Sequence, residues 1–578
     1  MNKLRLATEE FLAYGYSFQV RFNSNEYSFI REFRKSSGTY KVKFEINEDS
    51  FNSAPFPTIE SLPDKLLNRR LPHLLGGKYC CLFSDTSLLD PLNIKQLISS
   101  WLCKMEEIIE LWESGDYHED YLTEFGVYWG GIPTYLLSDN PDFKQLEVYS
   151  FKRNKLDGNE ELEYIIAANK TDAEQWAENR NAINTIKFQN DALFVKLAKA
   201  PFIHYDHPWP PKCLKDFSTW LLTSSNGNSV LEKVLTSLAT LDKWCKNKIP
   251  FVHVIFHFET IFFGVLFTLP VESRKALARH YAPKSKRGRG KKVREKLRKR
   301  IFEDSNSIVI PLNVIPASLD FILKRNSSTN LPLLANKRIA LIGGGTIGGY
   351  LVNSLSQLGA GYDNGLLTIF DNDVLKMGNL GRHILGVAYV GERKSESLKH
   401  YLKGQGFHSN VIAKGKFSMG LDFSEFDLIL DATGDQAFSL NLSHKVSRFR
   451  YLGGSVLLAH SWISGFGHTA KSLLDNGISG CYGCQFDYSK QPVKGELYPS
   501  FSSGKPPNAT DVFKRSCGEN HLPFGSEASM LAASLVTQLL YERQKKAPTL
   551  LIRRVSDKAI EQKDKRLKKR IGCPACKS

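Results

Sequence analysis

An apolar run ending in clustered glycines constrains this chain more than any other feature. From Lys337 it reads KRIALIGGGTIGGYLVNSLSQLGAGYDNGLLTIFDND. Ile339–Ile342 reads as a strand, Gly343-Gly-Gly345-Thr-Ile-Gly348 as a turn, and the residues up to Leu358 as a helix. A second strand, Leu366–Phe370, ends at Asp371. Strand, glycine turn, helix and strand, with an acid about 20 residues past the last glycine, make a nucleotide-binding βαβ pattern. Glycines let the backbone approach a phosphate, and the helix N-terminus faces it with partial positive charge. The pattern says nucleotide without saying which. The chain has no Gly-x-x-x-x-Gly-Lys-Ser/Thr loop, which excludes a P-loop ATPase.

The residues that follow narrow the choice. Asp371-Asn-Asp373 is followed by Asn379-Leu-Gly-Arg382 and Gly391-Glu-Arg-Lys394, and a third apolar run, Phe426–Leu430, ends in Asp431-Ala-Thr-Gly-Asp435. Cations near strand ends suit a triphosphate, and a carboxylate there suits Mg²⁺, so the set fits ATP. A nicotinamide enzyme does not need it.

Four of the ten cysteines fall into Cys-x-x-Cys pairs, Cys481-Tyr-Gly-Cys484 and Cys573-Pro-Ala-Cys576. Each pair brings two thiolates within reach of one ion, and two pairs complete a tetrahedral sulfur site for Zn²⁺. The competing reading is a redox dithiol, which needs one pair in a thioredoxin-like context that this sequence lacks. Four thiolates leave no open position, so such a site is structural.

On these motifs, residues 331–578 resemble the ThiF/MoeB/ubiquitin-activating superfamily. The glycine turn, Asp371-x-Asp373, Asn379…Arg382, Lys394, Asp431-x-Thr-x-Asp435 and both cysteine pairs fall in that family's order. The resemblance implies a Rossmann-like adenylation domain. In it Asp371 holds the ribose of ATP, Arg382 and Lys394 bind the phosphates, Asn379 helps to position them, and Asp435 serves Mg²⁺. It further implies adenylation of the C-terminal carboxylate of a small protein, and a homodimer. Members place an acceptor thiol near the position of Cys517, which here precedes a helical stretch, Ser526–Arg543. A helix N-terminus and neighbouring Lys514 and Arg515 favour its thiolate.

Residues 15–55 alternate like antiparallel strands, and a long amphipathic stretch runs from Leu97 to Trp112. Between them lie Leu71-Pro-His73, Gly77-Lys-Tyr-Cys80-Cys81-Leu and Leu89-Asp90-Pro91. These resemble the prokaryotic ubiquitin-conjugating-like family over residues 1–150, which implies an α+β fold with an acceptor cysteine in an irregular loop. The spacing selects Cys80, and adjacent Cys81 competes because Cys-Leu also follows the pattern. A His-Pro-Asn, whose asparagine stabilises the oxyanion in eukaryotic relatives, is absent.

At 578 residues the chain exceeds a single core, and 42% apolar content excludes general disorder. We expect an α/β multidomain protein: a conjugating-like domain at 1–150, a central linker or inactive adenylation-like domain at 151–330, and a ThiF-type domain at 331–578. Phe251–Pro270 is long enough to span a membrane, but His253, His257 and Glu259 interrupt it, and its β-branched and aromatic content fits two buried strands better. The N-terminus shows no secretory pattern, which points to the cytoplasm. Of the net charge of +17, +10 lies between Lys284 and Arg300. No aromatic residue is interleaved there, which argues for a solvated face over a nucleic-acid site.

The whole resembles the fused activating–conjugating enzymes of bacterial antiphage operons, particularly those of CBASS. There the resemblance implies relay of a cGAS/DncV-like nucleotidyltransferase, through its C-terminus, from Cys517 to Cys80 and on to a target lysine. A ubiquitin-like tag, a sulfur-carrier adenylyltransferase and a non-enzymatic nucleotide- or nucleic-acid-binding adaptor are the alternatives.

Overall fold

The computed structural model describes residues 3–20, 27–52, 55–67, 70–83, 90–123, 125–138, 146–182, 184–198, 209–223, 227–241, 251–259, 261–281, 291–303, 307–325, 333–406, 410–488, 496–501, 513–516, 519–521, 524–541 and 547–576. The chain divides into two units, Met1–Ala317 and Ser318–Ser578.

In the first unit, the predicted alternation builds an antiparallel meander of strands Ser17–Val20, Tyr27–Lys35 and Gly38–Ile46. Tyr40, Val42, Phe44 and Ile46 are buried, while the residues between them face away, the period of two that a one-sided sheet requires. The sheet continues through Thr58–Ser61 to the short strands Tyr79–Cys80 and Leu74–Leu75. The predicted helix spans Ile94–Ser114 and buries Leu97, Trp101, Met105, Ile108 and Trp112 at helical spacing. The Asn93 side chain caps its start by accepting from Gln96 N, and Gly115 ends it in the left-handed region at φ 74°.

Strand Ile132–Leu136 pairs in parallel with both Ile308–Pro316 and Glu160–Ala167. It therefore belongs to a mixed eight-stranded sheet whose other members lie between residues 147 and 316. The expected division at residue 150 cuts across this sheet. Packing joins the two regions as well, since one hydrophobic core runs from Ala7 to Val309. At its centre the rings of Trp129, Trp209, Trp220 and Phe263 meet at centroid distances of 4.8–5.7 Å. The indole N–H of Trp129 donates to Gly264 O at 3.0 Å. Burial of aromatic surface on this scale ties the segment that carries Trp129 to the sheet.

The stretch from Phe251 to Pro270 forms two strands, Val252–Phe258 and Ile261–Thr268, paired antiparallel. Among the described residues no helix is long and apolar enough to cross a membrane. Of the basic run, residues 291–300 lie in helix Lys291–Phe302, and residues 284–290 fall outside the described residues, as does Cys245.

The second unit is built on a seven-stranded sheet. Strands Val411–Lys414, Leu366–Phe370, Arg338–Ile342, Leu428–Asp431 and Leu457–Ser464 lie side by side in that order, all parallel. Thr469–Asp475 and Leu550–Arg554 extend it antiparallel. Chain order reverses between Arg338–Ile342 and Leu428–Asp431, and the crevice beyond their C-terminal ends is where doubly wound α/β folds bind ligands.

Candidate active sites

At that crevice the glycine turn packs backbone against backbone. Gly343 takes φ 93°, and a Cβ there would meet the Ala432 carbonyl at 3.0 Å. At Gly348, in the first turn of helix Thr346–Gln357, a Cβ would lie 1.9 Å from Gly343 O. No other residue fits the second position without moving the chain.

Side chains at the ends of neighbouring strands hold this turn. Asp371, at the end of the second strand, accepts from Gly344 N at 2.6 Å through Oδ2 and from Asp373 N at 2.6 Å through Oδ1. His383 Nδ1 accepts from Leu385 N at 3.1 Å, so its proton sits on Nε2, which donates to Gly344 O at 2.8 Å. Burial lowers the His383 pKa and keeps the ring neutral at pH 7.

The cations line the same end of the sheet. Lys394 is buried at the start of helix Lys394–Gly404, with Nζ 3.1 Å from the exposed Asp373 carboxylate. The Arg382 guanidinium stacks over the Phe524 ring at 4.3 Å, and burial lowers its pKa. Asn379 Oδ1 accepts from Lys376 N at 2.9 Å and fixes the turn that presents Arg382. Asp435 is exposed and caps helix Gln436–Tyr451, accepting from Phe438 N at 3.0 Å. The structure thus brings Gly343, Gly345, Gly348, Asp371, Asn379, Arg382, Lys394 and Asp435 to the C-terminal ends of the parallel strands of one sheet.

Cys481, Cys484, Cys573 and Cys576 form one cluster with all four sulfurs within 4.8 Å of one another. The separations Cys481–Cys484, Cys481–Cys573 and Cys484–Cys576 are 3.9, 3.6 and 3.3 Å. A tetrahedral ion with bonds of about 2.3 Å to sulfur sets its ligands about 3.8 Å apart, so the cluster has the chemistry and size of a zinc site. The other expected thiol, Cys517, lies outside the described residues.

In the first unit, strand alternation separates the two candidate thiols. Cys80 and Leu82 are buried at 0% and 2% exposure, whereas Tyr79 is 48% exposed and Cys81 is half-buried. Burial, reinforced by Cys81, pushes the Cys80 thiol well above its ordinary pKa. The spacing of the motif favours Cys80, yet of the pair it is Cys81 that is partly exposed. Its Sγ lies 3.5 Å from Phe83 O, and its N–H donates to His73 O at 2.8 Å.

His73 itself sits at φ 63°, held by Tyr128 Oη accepting from its N–H at 3.0 Å, with Nε2 3.4 Å from Asp120 Oδ1. Trp112 donates to Pro72 O at 2.9 Å, so the Leu71-Pro-His73 motif is clamped by the long helix. The pairing of His73 with Asp120 is invisible in the sequence, since Asp120 carries no motif. Leu89 lies outside the described residues, while Asp90 turns the chain into the helix by accepting from Leu92 N at 2.9 Å.

Known proteins resemble this chain over most of its length. Residues 321–551 match the family model described as the ThiF family. The chain is 27% identical over 572 residues to the "ATP-dependent ubiquitin transferase-like protein Cap2" of Vibrio cholerae, covering 95% of this chain and 93% of that one. It is 25% identical over 566 residues to the protein of the same name from Escherichia coli, covering 91% and 90%. A third, from Pseudomonas aeruginosa, is 32% identical over 232 residues, 40% of each chain. Residues 321–551 thus match the ThiF family in a chain that is similar to the Cap2 proteins over nearly its whole length.

Proposed function

We propose that the chain activates the C-terminal carboxylate of a protein with ATP and relays it through two thiols to an amine. A carboxylate oxygen attacks the α-phosphorus of ATP, pyrophosphate leaves, and an acyl-adenylate forms. The Cys517 thiolate attacks the acyl carbon and AMP leaves. Transfer to the N-terminal thiol exchanges one thioester for another, and a target lysine amine then takes the acyl group as an amide. ATP supplies the drive in the first step; the thioester exchange is close to isoenergetic. Both thiols on one chain give that exchange a high effective concentration.

In this reading Asp371 binds the ribose and the Gly343–Gly348 turn admits the phosphates. Arg382 and Lys394 neutralise the triphosphate, Asn379 holds the Arg382 turn, and Asp435 holds Mg²⁺. Cys481, Cys484, Cys573 and Cys576 hold a structural Zn²⁺. The N-terminal region acts as a ubiquitin-conjugating-like fold, with Cys81 as the acceptor that its exposure favours and His73 beside it in the place of the missing asparagine. The observation that carries the reading is the convergence of these residues at one sheet edge. By resemblance, the activated protein is a cGAS/DncV-like nucleotidyltransferase in cytoplasmic antiphage defence, and the enzyme is a homodimer. A ubiquitin-like tag is the alternative substrate.

The test incubates the protein with Mg·ATP and each candidate substrate, followed by non-reducing gels and intact mass. Wild type and Cys81→Ala should form a thiol-sensitive adduct on Cys517, and Cys517→Ala should form none at either site. Pyrophosphate release with no adduct on any cysteine would overturn the relay and leave only an adenylating enzyme.

A further inference from the structure

Arg382 is carried by a turn that fixes its backbone but leaves a long side chain to be placed. Its N–H donates to Asn379 O at 3.1 Å, and His383 N donates to the same carbonyl at 2.9 Å. Freezing a flexible guanidinium arm as an anion binds costs entropy unless something holds the group beforehand. The structure supplies a holder in Phe524, whose ring centroid lies 4.3 Å from the guanidinium carbon, and both residues are half-buried. A cation is drawn to the face of an aromatic ring within about 6 Å of its centre, more strongly where water is excluded. A guanidinium bound by its face keeps the N–H donors in its plane for a phosphate.

Phe524 is itself fixed from behind. Its Cβ lies against the backbone of Gly467, in the turn that joins strands Leu457–Ser464 and Thr469–Asp475. Gly467 takes φ 95°, and a Cβ there would come within 2.5 Å of the Phe524 Cβ. The turn is closed by His468 N donating to Gly465 O at 3.1 Å, and Val555 N ties it to the neighbouring chain by donating to His468 O at 2.7 Å. Just beyond Phe524 begins helix Ser526–Tyr541, whose Ala528, Ser529, Ala532 and Ala533 are buried. The ring is held between a closed turn and a packed helix, so it withdraws from Arg382 only if one of them moves. No motif marks Phe524, which stands seven residues after Cys517 in the sequence.

We propose that Phe524 is a positioning residue that holds the Arg382 guanidinium ready for the phosphates of ATP. The inference rests on the reading above, in which Arg382 binds those phosphates and Asp371 the ribose. Phe524 acts through Arg382, so it sets the affinity for the phosphates and leaves that for the nucleoside alone. The negative face of its ring contributes, and not only its bulk.

Phe524→Leu tests this, since it keeps an apolar side chain against Gly467 and removes the ring. In calorimetric titration the Kd for Mg·ATP should rise about three- to thirtyfold, while the Kd for adenosine stays at the wild-type value. Phe524→Tyr should restore Mg·ATP binding. Phenylalanine carrying one, two or three ring fluorines at position 524 repeats the test without a change of fold or shape, and should weaken Mg·ATP binding stepwise. In an Arg382→Ala background, Phe524→Leu should add nothing, as for two residues acting through one contact. Wild-type affinity in the Leu and fluorinated variants, adenosine weakened along with Mg·ATP, or an equal penalty in the Arg382→Ala background would each overturn the proposal and leave the functional reading standing. A wild-type protein that binds no Mg·ATP, or an Arg382→Ala variant that binds it as tightly as wild type, would instead overturn that reading of Arg382, and this inference with it.

Discussion

The nucleotide crevice and the N-terminal thiol site are built by different means. In the crevice the main chain does most of the holding: glycines at 343 and 348, amide N–H groups that donate to Asp371, and the Gly344 carbonyl, which accepts from the His383 ring. At the thiol site the outcome depends on the face that Cys80 takes in the two-residue strand Tyr79–Cys80, with Cys81 just beyond its end, and the pairing that decides it is Leu74 with Cys80 and Thr58 with Tyr79. A site made of backbone tolerates no change of residue type but is insensitive to small shifts in register. A site made by alternation turns over completely with a slip of one residue.

The largest expected effect falls on the backbone-built site. Gly348→Ala puts a methyl group 1.9 Å from Gly343 O, which the turn cannot absorb. ATP binding, followed by calorimetry, should vanish while the N-terminal unit keeps its own melting transition. Retained ATP binding would show that the turn is more compliant than its geometry.

The next effect sharpens the contrast at the thiols. Cys81→Ser should abolish the N-terminal adduct with little change in stability. Cys80→Ser should keep the adduct and lower the stability of the first unit by about 1–3 kcal/mol, since a hydroxyl replaces a thiol in the core. The opposite pattern on an intact-mass and denaturation series would reassign the acceptor to Cys80.

A smaller effect separates the sites by pH. The His383 pKa is depressed by burial, so its contribution is complete above the unfolded value of about 6.5 and is lost as pH falls through the folded one. Protonation takes away the Nδ1 acceptor used by Leu385 N and loosens the turn. Mg·ATP affinity should therefore decline on acidification below about pH 6.5, and His383→Gln should flatten that decline. An unchanged slope in the variant would remove His383 from the turn's support.

Much of this was legible in the amino-acid order. The strand–turn–helix at 338–357, the buried pair of strands at 252–268 and the helix over Trp101 and Trp112 each carry a period or a glycine that few other structures need. The two Cys-x-x-Cys pairs likewise foretell a cluster, because spacing alone puts each pair of sulfurs together. What escaped were features set by distant pairing. The sheet that begins at Ile132 owes its membership to a partner near residue 312, and the dyad of His73 with Asp120 to a helix about which no motif speaks. Alternation did hold a clue to the thiols: Cys80 and Leu82 share a parity, and so do Tyr79 and Cys81. Without the neighbouring strand, parity does not say which face is the core.

The pairing of Ile132–Leu136 with Ile308–Pro316 bears on how the protein comes into being. These strands stand near the two ends of the central sheet's sequence, so the sheet cannot close until nearly the whole first unit has left the ribosome. Until then Trp129 and its aromatic neighbours have no Gly264 carbonyl or Phe263 ring to meet. Topologies dominated by such non-local pairings fold slowly and expose sticky intermediates while they wait. Nascent chains of this enzyme are thus natural clients for chaperones, and expression yield should respond to translation speed and temperature more than to the stability of the finished fold.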